Sequence, residues 1–85
     1  MAKVSMYCTA VCPYCNMAER LLQKKGVSSI NKIRVDLDRS QMEEMMQRTG
    51  RRTVPQIYID DYHVGGFDDL SELDQEGKLD ELLAK

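Results

Sequence analysis

"AVCPYCNMAERLL", residues 10–22, sets Cys12 and Cys15 two residues apart where a helix is due to begin. Pro13 suits the first helical position, because the N–H it lacks would have been unpaired there. Behind it Met17, Ala18, Leu21 and Leu22 recur as one apolar stripe, and Gly26 suits a left-handed stop, which predicts a helix over 13–25. Ahead of it "KVSMY" alternates, with Val4 and Met6 on one face and Lys3 and Ser5 on the other, which predicts a strand over 3–7. The C-x-x-C therefore stands at the junction of a first strand and the helix that follows it.

Outward from that junction the pattern repeats. "INKIRVDL" carries Ile33, Val35 and Leu37 on one side and reads as a second strand. "SQMEEMMQRTG" reads as a second helix, with Ser40 and Glu43 as its capping box, Met42, Met45 and Met46 as its inward stripe, and Gly50 as its stop. "PQIYID" and "YHVGG" bracket Asp60 and Asp61 as a hairpin, with His63 in the turn and nothing around it that points to catalysis. Asp69 with Glu72 reads as the cap of a third helix, "LSELDQE". Gly77 breaks it before a last amphipathic turn or two, "KLDELLA". The order β-α-β-α-β-β-α implies a right-handed parallel crossover followed by an antiparallel half. That is an α/β fold with one four-stranded mixed sheet and helices on its faces. Residues 1–85 show no linker, repeat or low-complexity stretch and are expected to form a single domain.

Composition narrows the function. The 85 residues are 42% hydrophobic and 31% charged, with a net charge of -2, so no sequence-independent grip on nucleic acid is expected. Arginines and lysines are scattered, with Arg51 and Arg52 adjacent and no long basic run. No apolar run approaches the roughly 20 residues of a membrane helix. "MAKVSMYC" lacks the apolar stretch of a signal peptide, so a cytoplasmic protein is expected.

In a reducing compartment the three cysteines favour redox or metal chemistry over a disulfide scaffold. A structural zinc site wants four ligands. Beyond the pair, the chain offers only Cys8 and His63, and no metal site is expected. A bridge closing two intervening residues removes little loop entropy and makes a poor staple. The redox alternative has a physical cause. The helix start, with its unpaired amides and macrodipole, favours a thiolate on Cys12, the form that attacks disulfides. Cys15, one turn on and more buried, is placed to resolve a mixed disulfide.

"CPYC" after a short strand, "TVPQIYID" some forty residues on, and then "GGFDDL" together resemble the glutaredoxins, most closely the short bacterial dithiol members. The resemblance covers nearly the whole chain and implies a thioredoxin-like fold. It implies catalytic Cys12 and Cys15, and a groove for glutathione formed by Tyr14, Arg51, Thr53, Val54, Pro55, Gly66, Asp68 and Asp69. Pro55 would follow a cis bond, and Val54 would pair its N–H and C=O with the cysteinyl part of the tripeptide. The backbone at Gly65 and Gly66 would receive the γ-glutamyl carboxylate at a helix start, a setting suited to an anion. Asp68 and Asp69 would meet the γ-glutamyl ammonium, or serve only as caps. Arg51 would hold the glycine carboxylate, or be a solvated charge like Arg52. Phe67 is assigned no chemistry.

Two positions depart from the family. Thr9 stands where many glutaredoxins carry a lysine near the active cysteine. Cys8 stands where threonine or serine is usual, either as a small buried residue or as a third redox thiol. The implied activity is glutathione-dependent thiol–disulfide oxidoreduction, by a Cys12/Cys15 dithiol route or a Cys12 monothiol route, serving cell redox homeostasis. Glutathione is the co-substrate and no tightly bound cofactor is needed. Implied partners are disulfide-bearing or glutathionylated proteins, ribonucleotide reductase among them by family analogy, and glutathione reductase with NADPH at one remove. The protein is expected to be a monomer. Three rival readings are compatible with the sequence: a thioredoxin-like enzyme reduced by a flavoprotein, a glutathione-ligated iron–sulfur carrier, and a purely structural domain. "GGFDDL" weighs against the first, and Pro13 with the dithiol motif against the second.

Overall fold

The computed structural model describes residues 2–84. In chain order these form β1 (Val4–Cys8), α1 (Pro13–Lys24), β2 (Ile30–Arg34), α2 (Arg39–Thr49), β3 (Gln56–Ile59), β4 (Tyr62–Gly65), α3 (Phe67–Gln75) and α4 (Lys78–Leu83). The strands lie in the order β2-β1-β3-β4. β1 runs parallel to β2 and antiparallel to β3, and β3 and β4 make the antiparallel hairpin. This is the mixed sheet expected from the order of elements.

The two faces of the sheet carry separate cores, because strand side chains alternate sides. Val4, Met6, Cys8, Ile57, Ile59 and Val64 pack with Ala18 and Leu22 of α1, Leu70 of α3, and Leu79 and Leu83 of α4. On the other face Tyr7, Tyr58 and Val35 pack with Met45 of α2. Leu22, Leu70 and Leu79 are wholly buried, and truncating such a leucine to alanine costs about 2–5 kcal/mol. That burial anchors α1, and so fixes its first turn against the end of β1.

Several local expectations need correction. Ser40 is not the cap of α2. Asp38 is, accepting the Ser40 amide at 2.9 Å, and the Ser40 hydroxyl donates to the same carboxylate at 2.6 Å. The cap of α3 is Gly66, and Asp69 sits three residues inside the helix. Leu37 does not continue β2; the strand ends at Arg34 and Leu37 is 75% exposed in the following turn. Met17 is exposed too, and of the three α2 methionines only Met45 is fully buried. The inward stripes are thus narrower than sequence spacing suggests. His63 belongs to β4 and not to the turn, half-buried opposite Tyr58. The turn is made by Asp60 and Asp61, with Asp60 in the left-handed region at φ 53.

Candidate active site

Cys12 is the cap residue of α1. Its backbone is extended (φ -146, ψ 93) and its sulfur accepts the Cys15 amide at 3.2 Å. Pro13 occupies the first turn, as its missing N–H allows. The Cys12 sulfur therefore takes the place a serine or aspartate oxygen takes in other caps, directly against an orphan helix amide. An anion there is favoured by that hydrogen bond and by the dipole of the helix behind it. Cys12 and Cys15 are joined as a disulfide, with Cα atoms 5.2 Å apart, inside the range such bridges span. Both are largely covered, Cys12 at 8% exposure and Cys15 at 4%.

The loop that delivers the chain to Cys12 is pinned from the turn after β2. Asp36 accepts the Ala10 amide at 3.2 Å and holds Arg34 in a two-pronged contact at 2.7 and 2.6 Å. The Arg34 hydrogen bonds, seconded by the Ala10 amide, bring the Asp36 carboxyl down to about 2. The sequence gives no cue for this contact beyond an Arg-x-Asp spacing, because its partner lies 26 residues earlier.

Beside the cysteine turn lies a cleft of about 300 Å³ lined by Tyr14, Arg51, Thr53, Val54, Pro55, Gly66, Phe67, Asp68 and Asp69. Three separate stretches of chain meet here. All eight residues expected to form a groove are brought together, and Phe67 joins them. Tyr14 is 58% exposed and its ring lies 6.3 Å from that of Phe67. The Val54–Pro55 bond is cis. Among the described residues no hydrogen bond uses the N–H or C=O of Val54, so both stay available at the cleft.

The polar groups of the cleft are not equally free. The Gly66 amide donates to Asp69 Oδ2 at 2.9 Å, and Arg51 Nη1 meets the same oxygen at 3.0 Å. The Gly66 amide first, then Arg51, holds the Asp69 carboxyl below its ordinary value. Gly66 is therefore engaged, whereas the first amides of α3, at Phe67 and Asp68, have no carbonyl one turn behind them. Asp68 is exposed and makes no hydrogen bond or ion pair among the described residues. Arg52 is exposed, as a solvated charge would be.

Cys8, the remaining thiol, is free and buried at the end of β1. Burial raises its pKa, against the opposing pull of Lys32 and Arg34, so a reactive thiolate is disfavoured there. Among the described residues no cluster of three or more His, Cys, Asp or Glu side chains could hold a metal ion. No helix among them is long and apolar enough to cross a membrane.

Comparison with known proteins agrees with this geometry. The family described as Glutaredoxin matches residues 4–64. A glutaredoxin of Neisseria meningitidis serogroup A is 54% identical over 83 residues, covering 98% of each chain. Glutaredoxin 3 of Escherichia coli K12 is 51% identical, covering 98% of this chain and 99% of that one. Among solved structures, a buckwheat glutaredoxin–glutathione complex superposes with a TM-score of 0.89 at 28% identity, over 98% of this chain and 77% of that one. A glutaredoxin from Brucella melitensis gives 0.84 at 47% identity, over 98% and 89%.

Proposed function

The chain belongs to the glutaredoxin family and carries its thioredoxin-like fold, and on that premise we propose how its residues divide the work of a glutathione-dependent thiol–disulfide oxidoreductase. Cys12 is the attacking sulfur. Its thiolate adds to one sulfur of a glutathionylated substrate, the other sulfur leaves as a thiolate and takes a proton from solvent, and Cys12 is left bonded to glutathione. A second glutathione thiolate then attacks that bond, releasing glutathione disulfide and restoring Cys12. With a protein disulfide, Cys15 loses its proton and displaces the substrate from Cys12, closing the Cys12–Cys15 bridge. Two glutathiones reopen the bridge, supplying two electrons.

The cap geometry carries this assignment. A sulfur that accepts a helix amide at 3.2 Å is held where negative charge is stabilised. The Cys15 sulfur, one turn along, is already within bonding reach of it.

The cleft receives the tripeptide. Val54 offers its N–H and C=O to the cysteinyl unit like one rung of an antiparallel pair. The γ-glutamyl carboxylate is met by the free amides of Phe67 and Asp68 rather than by Gly66, whose amide is taken. Asp68 meets the ammonium. Arg51, shared with Asp69, faces the glycine carboxylate, and Tyr14 and Phe67 wall the aliphatic parts. The buckwheat relative solved with glutathione supports this occupant. Disulfide-bearing and glutathionylated proteins are the clients, ribonucleotide reductase among them, and glutathione reductase with NADPH returns the electrons.

The test is reduction of a small glutathione mixed disulfide. Turnover is expected with glutathione and glutathione reductase. Turnover with thioredoxin reductase alone, and none with glutathione, would contradict the assignment.

A further inference from the structure

We propose that Gln56 and His63, neither of them in the cleft wall, form a relay that sets the direction of the Val54 N–H. The proposal rests on the cleft receiving the glutathione backbone.

Gln56 is wholly buried, the only polar side chain in that class among the described residues. A buried primary amide is costly unless both its ends are paired. Here both are. Gln56 Nε2 donates to the Thr53 carbonyl at 2.9 Å, with Thr53 Oγ1 at 3.3 Å, and Gln56 Oε1 lies 2.8 Å from His63 Nε2. Turning the amide round would set two oxygens against each other at Thr53. Oε1 can only accept, so His63 carries a proton on Nε2.

His63 is itself fixed. Its ring stacks on Tyr58 with centroids 5.0 Å apart, and the Arg48 guanidinium lies 4.1 Å from the centre of the Tyr58 ring. Arg48 also donates to the Tyr7 hydroxyl at 2.9 Å. Register places these groups on one face: Tyr7 opposite Gln56, and Tyr58 opposite His63, with an irregularity beside Tyr58 that brings His63 into line.

The consequence follows from peptide geometry. The Thr53 carbonyl and the Val54 N–H belong to one planar unit and point in opposite directions. Gripping the carbonyl from the Gln56 side therefore fixes the N–H away from Gln56. That N–H has no partner among the described residues and belongs to a residue lining the cleft. The relay thus holds a recognition amide without touching the ligand.

His63→Phe keeps a ring on Tyr58 but removes the N–H. Its KM for a glutathione mixed disulfide is expected to rise about fivefold, the loss expected for one neutral hydrogen bond, with kcat within about twofold. His63→Gln, whose amide reaches about as far as Nε2, should recover most of the loss. A mixed disulfide lacking the tripeptide should react with both variants at the unsubstituted rate. If the unsubstituted protein shows no preference for the glutathionyl substrate, the cleft assignment fails. If it does and His63→Phe keeps the original KM, or His63→Gln is no better than His63→Phe, the relay is overturned. Nitrogen NMR shifts of His63 in the unsubstituted protein give a check that no folding defect can blur. A proton on Nε2 is expected, and a neutral ring protonated on Nδ1 would overturn the relay.

Discussion

Arg51 Nη1 stands 3.0 Å from Asp69 Oδ2 and so ties the segment ahead of β3 to the first turn of α3. The same oxygen accepts the Gly66 amide at 2.9 Å. Asp69 thus joins two walls of the cleft, while its neighbour Asp68 has no partner among the described residues. Two adjacent carboxylates are assigned different work by what already surrounds each.

Substitution should separate them. Asp68→Asn is expected to raise KM for a glutathione mixed disulfide several-fold while costing less stability than Asp69→Ala, since only its favourable place in the first turn of α3 is lost. Asp69→Ala should cost about 1–2 kcal/mol of stability. Most of that comes from the Gly66 hydrogen bond, because the ion pair is about half exposed and screened by solvent. Thermal melts and steady-state kinetics on both variants check this. A stability loss confined to Asp68→Asn would reverse the assignment.

The two cysteines should also part company. Cys12→Ser removes the attacking sulfur and should abolish turnover of both glutathione mixed disulfides and protein disulfides. Cys15→Ser should keep the first activity and lose the second, because only the dithiol route needs a resolving sulfur. Equal loss in both folded variants would contradict these roles.

Much of this was legible in the chain, for identifiable reasons. Pro13 after Cys12 marks a helix start by chemistry that depends on no distant residue, and α1 begins there. The alternation of Val4 and Met6 likewise marks a strand buried on that face. What sequence misplaced were choices among equivalent local partners. Asp38 and Ser40 both suit a cap, and the chain entering α2 favours Asp38. Asp69 looks like a cap, yet it bonds backward to Gly66 from inside the helix. Phe67 lines the cleft between Gly66 and Asp68, and its approach to Tyr14, 53 residues away in sequence, is not written in any local pattern. His63 and Gln56 meet across a hairpin whose irregular register is not written in the residue alternation.

Gly65 has no room to change. Its φ is +110, a region that side chains rarely adopt, and a Cβ there would overlap the Asp69 carboxylate. Gly65→Ala should cost about 1–3 kcal/mol from backbone strain and also displace Asp69 from Arg51 and Gly66. Chemical denaturation should show the loss, and KM for the glutathionyl substrate should rise with it. A variant as stable and as active as the parent would contradict the packing described.

Acid should expose the Asp36 contact. The Arg34 hydrogen bonds hold the Asp36 carboxyl down at about 2 in the folded chain, against about 3.9 when unfolded. A lowered native value means the contribution is complete above about pH 4 and is lost as pH falls through about 2. Asp36→Asn should therefore flatten, without abolishing, the fall in melting temperature over that interval; Asp69, also lowered, keeps its share. Parallel curves for parent and variant would show that Asp36 contributes nothing.

Titration of Cys12 in the reduced Cys15→Ser protein, followed by thiolate absorbance or by the pH dependence of alkylation, bears on the whole scheme. A sulfur seated as the cap of α1 should ionise well below the range of free cysteine and be alkylated ahead of buried Cys8. Ionisation like that of cysteine free in water would contradict it, and with it the assignment of Cys12 as the attacking group.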